Sequence, residues 1–198
     1  MDRKKFFRPI NEFEYKIINN SLRDSFPELL SFIESGEDFL YIQERGLFLK
    51  ENYPKVYVIS KRINKVIEEF HIDNYINSSG LYFGFMKRGR FFISLEAIDY
   101  FCNKEIISVY QKVKLNEKGK KSFLYGNKIT KNMIIQETSH FKAHNFLLVF
   151  DKNNELMGIA KSLIDYKDFQ ILKPKNIIAL NLNNKGYFLR KEQEIREF

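Results

Sequence analysis

A chain of 198 residues, 44% hydrophobic and 29% charged, can fill one large core or two small ones and is too apolar to remain disordered. Its 33 Lys and Arg against 25 Asp and Glu leave a net charge of +8, which favours an anionic partner, and its one cysteine, Cys102, excludes an intrachain disulfide framework. No apolar run reaches the roughly 18 residues of a membrane span, and the basic N-terminus is not followed by the apolar stretch of a signal peptide, so an intracellular protein with no membrane partner is expected.

Asn11 can cap a helix over residues 12–22, with Phe13, Ile17 and Ile18 on one face. Phe26 to Ile33 reads as a second short helix ended by Gly36. Strand-like runs follow at Phe39-Leu-Tyr-Ile, Gly46-Leu-Phe-Leu and Val56-Tyr-Val-Ile. Ser60 can cap a helix to about Phe70 with Ile63, Val66, Ile67 and Phe70 as its stripe. Gly80 to Met86, a turn at Lys87-Arg-Gly-Arg90 and Phe91-Phe-Ile form a hairpin pattern, and Ser94 and Glu96 open a further helix through Phe101. These elements predict an α+β unit with an antiparallel sheet.

The texture changes near residue 105. Ile106 to Leu115 reads as a strand, Asn116 to Lys121 as a charged turn, and Gly126 as the end of a short helical turn. Asn145 to Phe150 and Leu156 to Ala160 flank Lys152-Asn-Asn154, a hairpin whose Asn residues tolerate positive φ. Ile171-Leu, Ile177 to Leu180, a turn at Asn183 to Gly186 and Tyr187-Phe-Leu continue a short-strand rhythm that suggests a small barrel. Charge divides at the same place. Residues 1–105 carry 16 basic and 16 acidic side chains, and residues 106–198 carry 17 and 9, so the whole excess lies in the second part. Two domains are expected, 1–105 and 106–198, with the second attracting phosphates.

Ser122-Phe-Leu-Tyr-Gly-Asn127 resembles the S-F-L-Y-G-N motif of the Nip-seven family of large-subunit ribosome biogenesis factors. Flanking segments agree in order: Arg8-Pro-Ile, Tyr57-Val-Ile-Ser, Ala97-Ile-Asp-Tyr, Thr138-Ser, Gly158-Ile-Ala-Lys-Ser and Tyr187-Phe-Leu-Arg190. The hexapeptide is the specific element. The resemblance implies an N-terminal α+β (pre-PUA) domain and a C-terminal PUA-type pseudo-β-barrel. It implies rRNA as the partner in large-subunit biogenesis and rRNA processing, with pre-ribosomal or exosome proteins as further partners. The place of action would be cytoplasmic in a prokaryote and nucleolar or nuclear in a eukaryote. PUA domains hold RNA across a short helix, the following strand and a late strand. That assigns RNA binding to Lys128, Lys131 and Lys161, and, with less help from the motifs, to Lys167, Lys173 and Lys175.

No catalytic residue, cofactor or metal site is expected. Glu137, His140 and His144 lack the spacing of a zinc-binding helix, since Phe141 rather than Glu follows His140. Glu96 and Asp99 suit the start of a helix better than acid–base work. Cys102 has no evident basic partner to activate it. No glycine-rich phosphate loop occurs. The competing readings are an RNA-modification enzyme with a PUA specificity module, and a protein-interaction module whose basic face meets an acidic partner.

Overall fold

The computed structural model describes residues 7–44, 53–73, 75–107, 111–137 and 141–187. The chain divides into two units, residues 1–108 and 109–198. The expected strand at Gly46-Leu-Phe-Leu, the Thr138-Ser pair, His140 and the end of the Tyr187 segment lie outside the described residues.

The first unit runs β1 (Phe7–Pro9), α1 (Glu12–Ser25), α2 (Glu28–Glu34), β2 (Asp38–Gln43), β3 (Lys55–Ser60), α3 (Lys61–Phe70), β4 (Leu81–Lys87), β5 (Arg90–Ile93) and α4 (Leu95–Asn103). Its five strands pair in chain order, all antiparallel. Local chemistry sets the elements. Asn11 and Glu14 form a reciprocal capping box at the start of α1. Arg8 then clamps both Glu14 oxygens at 2.7 and 2.9 Å and also bonds Glu44, which gives the Arg8-Pro-Ile segment a structural task. Ser94 caps α4 through the Ala97 N–H. The β4–β5 turn has positive φ at Arg88 and Gly89, the conformation of a two-residue hairpin.

On β3, Tyr57 and Ile59 pack with Phe7, Tyr41 and Ile67 of α3. Val56 and Val58, of opposite parity, are buried as well, so both sheet faces are covered there. The apolar stripes were only partly used. Ile18 and Ile67 are buried, whereas Phe13, Val66 and Phe70 are exposed, and Ser60 makes no side-chain cap bond.

The second unit runs β6 (Lys112–Leu115), α5 (Glu117–Leu124), β7 (Ile129–Thr130), a 3-10 turn at Lys131–Met133, β8 (Ile134–Glu137), β9 (Phe146–Phe150), β10 (Leu156–Ser162), α6 (Tyr166–Phe169) and β11 (Ile177–Asn184). The sheet order is β7-β11-β10-β9-β6-β8, with β6 and β9 parallel and the other pairs antiparallel. The two edge strands, β7 and β8, are joined by only three residues. Such a link reaches about 10 Å, so the sheet must curl until its edges nearly meet. This is the PUA pseudo-barrel, filled by Val113, Leu115, Phe123, Leu147, Val149, Met157, Ala160 and Ile178.

Several expected elements differ here. Residues 116–121 are not a turn: Asn116 accepts the Gly119 N–H at 2.8 Å and caps α5. Gly119 disguised the helix, yet it is required, since a Cβ there would lie 2.7 Å from the Met133 Cβ. The strand expected from Ile106 begins only at Lys112, because the Ile106 and Ile107 N–H groups close the end of α4 on the Phe101 carbonyl. Ile171, 82% exposed, belongs to the turn after α6 rather than to a strand. Asn183 and Asn184 extend β11 opposite Ile159 and Gly158, and the turn starts at Lys185. Tyr187 is helical, not extended.

Candidate nucleic-acid interface

Helix α5 has two unlike faces. Gly119 and Phe123 are buried against the barrel. Lys118, Lys121 and Tyr125 are spaced three and four residues apart, so they share the outer face, and all three are exposed. Tyr125 is 72% exposed at the C-terminal end of the helix, within the hexapeptide. The other hexapeptide residues build its support. Gly126, with φ +94°, ends the helix. The Asn127 N–H bonds the Ser122 carbonyl at 3.2 Å, and Asn181 Nδ2 on β11 donates to the carbonyls of Phe123 (2.7 Å) and Asn127 (3.3 Å). A fixed loop therefore presents Tyr125 and the exposed Lys128.

The six sequence-derived lysines fall into three situations. Ile129 pairs with Ala179, so Lys128, one residue before β7, stands beside Leu180. Leu180 pairs with Lys161 on β10. Two strand spacings separate the two lysines, about 10 Å. Lys173 and Lys175 lie in a turn before β11 that is docked on the 3-10 turn: Lys131 N–H bonds the Asn176 carbonyl at 3.0 Å and Asn132 N–H the Pro174 carbonyl at 2.9 Å. Both side chains are exposed. Lys131 and Lys167 are differently placed. The Lys131 ammonium donates to the Gln170 and Leu172 carbonyls, 2.9 Å each, and sits 5.2 Å from the Phe169 ring centroid, so it ties the end of α6 to the 3-10 turn. Lys167 lies on α6 with Asp165 at 4.0 Å.

Two of the acidic side chains are spent on lysines other than those six. Residues 111–187 carry 14 basic and 6 acidic side chains. Asp151 pairs with Lys120 at 2.7 Å and Glu117 with Lys152 at 3.0 Å. Among the described residues, Lys118, Lys121, Lys128, Lys173 and Lys175 form no ion pair through their side chains. Lys118, Lys121 and Tyr125 were not picked out from the sequence. The signal existed in their helical spacing, but it is visible only once residues 117–124 are read as a helix. His144 lies in a loop with φ +70°, its N–H bonded to the Ser162 carbonyl, and among the described residues no group of three or more His, Cys, Asp and Glu could hold a metal.

Asp151 anchors the β9–β10 turn beneath α5. Burial alone would raise its pKa. The Lys120 ammonium and the N–H groups of Glu155 (3.0 Å) and Asn153 (2.8 Å) outweigh burial and hold the carboxyl below its ordinary value. A folded pKa below the unfolded one stabilises above the unfolded value, about 3.9, and that contribution disappears as pH falls through the folded pKa. Asp151→Ala should cost about 2 kcal/mol at pH 7 by orphaning turn donors. Urea titrations between pH 7 and pH 2 should show the gap between wild type and variant narrowing below pH 4. A gap independent of pH would remove the charge from this account.

A family model described as the NIP7/UPF0113 pre-PUA domain matches residues 7–95, and one described as the UPF0113 PUA domain matches residues 111–193. The 60S ribosome subunit biogenesis protein nip7 of Schizosaccharomyces pombe is 27% identical over 142 residues, covering 71% of this chain and 76% of that protein. A UPF0113 protein of Archaeoglobus fulgidus is 27% identical over 193 residues, covering 97% and 99%. The 60S ribosome subunit biogenesis protein NIP7 homolog of Pongo abelii is 21% identical over 190 residues, covering 95% and 99%. Among solved structures, a conserved PUA domain protein from Thermoplasma acidophilum shares the fold with a TM-score of 0.58 at 12% identity, covering 94% of this chain and 98% of that one. A PUA domain protein from Aeropyrum pernix does so with a TM-score of 0.58 at 11% identity, covering 95% and 90%.

Proposed function

This chain belongs to the NIP7/UPF0113 family, and from that premise we propose that it is a non-catalytic factor of large ribosomal subunit biogenesis and rRNA processing that binds RNA through its PUA unit. The observation that carries the reading is the outer face of α5, where Lys118, Lys121 and Tyr125 stand exposed and continue into Lys128. Lysines attract the phosphate backbone by releasing counterions, and an exposed tyrosine offers a stacking surface to an unpaired base. Lys173 and Lys175 extend the positive surface past β7, and Lys161 borders it through Leu180. Lys131 and Lys167 are proposed as secondary contacts, Lys131 serving mainly as a brace between α6 and the 3-10 turn. The domain division is proposed at residues 105/106, close to the division of the folded units.

The names of the relatives support an intracellular place of action; a nucleolar or nuclear place in a eukaryotic cell, or a cytoplasmic one in a prokaryotic cell, is part of the proposal. Pre-ribosomal proteins are the proposed protein partners, and exosome proteins a further set. Crosslinking of the whole chain to cellular RNA, followed by sequencing, tests the reading. Discrete enrichment in large-subunit rRNA or its precursor is expected. Enrichment in transfer RNA, with a new modified nucleoside found by mass spectrometry, would instead establish the RNA-modification reading.

A further inference from the structure

A second exposed aromatic cluster stands on the sheet of the N-terminal unit. The Met86 N–H bonds the Pro54 carbonyl at 2.9 Å, which holds Tyr53 beside β4. Tyr53 stacks on Phe85, with centroids 5.8 Å apart and planes 29° apart. Phe85 stacks on its cross-strand partner Phe92, at 5.3 Å and 13°. The three rings form one ladder that ends on the edge strand β5. Lys55 pairs with Phe85 and shares the parity of Tyr57 and Ile59, so the ladder stands on the sheet face that α3 covers elsewhere. Among the described residues no helix covers it here: Tyr53 is 38% and Phe92 43% exposed.

The rim of this ladder is basic. Residues 81–93 contain Lys87, Arg88 and Arg90 and no acidic residue, in a half of the chain whose total net charge is zero. The Lys87 ammonium lies 4.5 Å from the Tyr53 ring centroid. Arg88 and Arg90 are exposed at the hairpin tip, and among the described residues their side chains make no ion pair or hydrogen bond. Parallel rings with exposed ends accept further flat rings, and neighbouring cations hold the phosphates that link them. An apolar peptide would use the rings and leave the hairpin cations without counter-charge. A duplex keeps its base faces stacked internally and cannot offer them.

We infer that the ladder Tyr53–Phe85–Phe92 is a second RNA contact, specific for single-stranded segments, in which an unpaired base stacks on Phe92 while Arg88 and Arg90 hold the flanking phosphates. The inference rests on the RNA-binding reading of the PUA unit but concerns a different surface. The chain has no tryptophan, so Phe92→Trp installs a single reporter at the end of the ladder. Full-length Phe92→Trp protein is titrated with a nine-nucleotide oligoadenylate, with a blunt RNA hairpin and with an acidic, leucine-rich peptide, while anisotropy of labelled RNA reports total binding. Saturable quenching by oligoadenylate and none by the hairpin is expected, and it should persist when Lys121→Glu, Lys128→Glu and Lys175→Glu are added. In the unlabelled background, Phe92→Ala should lower oligoadenylate affinity about tenfold, in keeping with the loss of one stacked base. Binding seen by anisotropy without quenching overturns the ladder site and leaves the PUA reading standing. No binding by either signal overturns both. Quenching by the peptide and not by RNA makes the ladder a protein-docking face and overturns the inference.

Discussion

Replacing Lys121, Lys128 and Lys175 together by Glu should weaken RNA binding about 100-fold at 0.1 M salt. The estimate follows from counterion release: each single-strand phosphate contact contributes about 0.7 to the logarithmic salt slope, hence about fivefold in affinity between 1 M and 0.1 M salt, and three contacts multiply. Reversal of charge adds repulsion, so the figure is a lower bound. The three side chains are exposed and form no ion pair among the described residues, so folding should change by about 0.5 kcal/mol or less. Lys131 is left out because its ammonium holds the Gln170 and Leu172 carbonyls, and its loss would confuse binding with stability. The matched control reverses Lys16, Lys61 and Lys65, all exposed on helices of the first unit. Fluorescence anisotropy with a labelled rRNA fragment reads both. Equal losses in the two variants would mean that net charge alone attracts RNA and that no face is specific.

The hexapeptide should separate into a structural and a binding half. Phe123 is fully buried in the barrel core, and its carbonyl is held by Asn181. Phe123→Ala should cost about 4 kcal/mol through lost burial and the cavity left behind. That is a large part of the few kcal/mol that stabilise a domain of this size. Tyr125, two residues on, is mostly solvent-exposed, so Tyr125→Ala should leave the thermal transition within about 2 °C of wild type. Its RNA affinity should nevertheless fall about tenfold, the value of one base stack. Calorimetry and anisotropy on the same samples decide this. Destabilisation by Tyr125→Ala, or unchanged RNA affinity, would show that the whole motif serves packing.

What could be read from the sequence depended on how local the cause was. The helix cap at Asn11, the β4–β5 turn at Arg88-Gly89 and the β9–β10 turn at residues 152–154 are each set by neighbours in the chain, and each appears where expected. Helix α5 was missed because Gly119 looks like loop until Met133, fourteen residues later, is seen pressed against it. The role of Lys131 was equally hidden, since its acceptors lie 39 and 41 residues away. The charge asymmetry singled out the second unit for an anionic partner, yet it could not tell a spent lysine from a free one. Lys120 and Lys121 are adjacent in sequence, and only the fold shows that one pairs with Asp151 while the other faces solvent. The stripe of α3 misled in the opposite direction, since a helical period does not say how wide a face its neighbours will cover, and Val66 and Phe70 remain outside.

The salt dependence of RNA affinity is the most direct test that the PUA face, and no diffuse attraction, holds the RNA. Log affinity is plotted against log salt for the wild type and for the Lys121, Lys128 and Lys175 to Glu variant, with circular dichroism verifying the fold of each. Loss of three phosphate contacts should make the variant slope shallower by about 2. Parallel lines, with affinity lowered equally at every salt concentration or not at all, would contradict the assignment of RNA binding to this face.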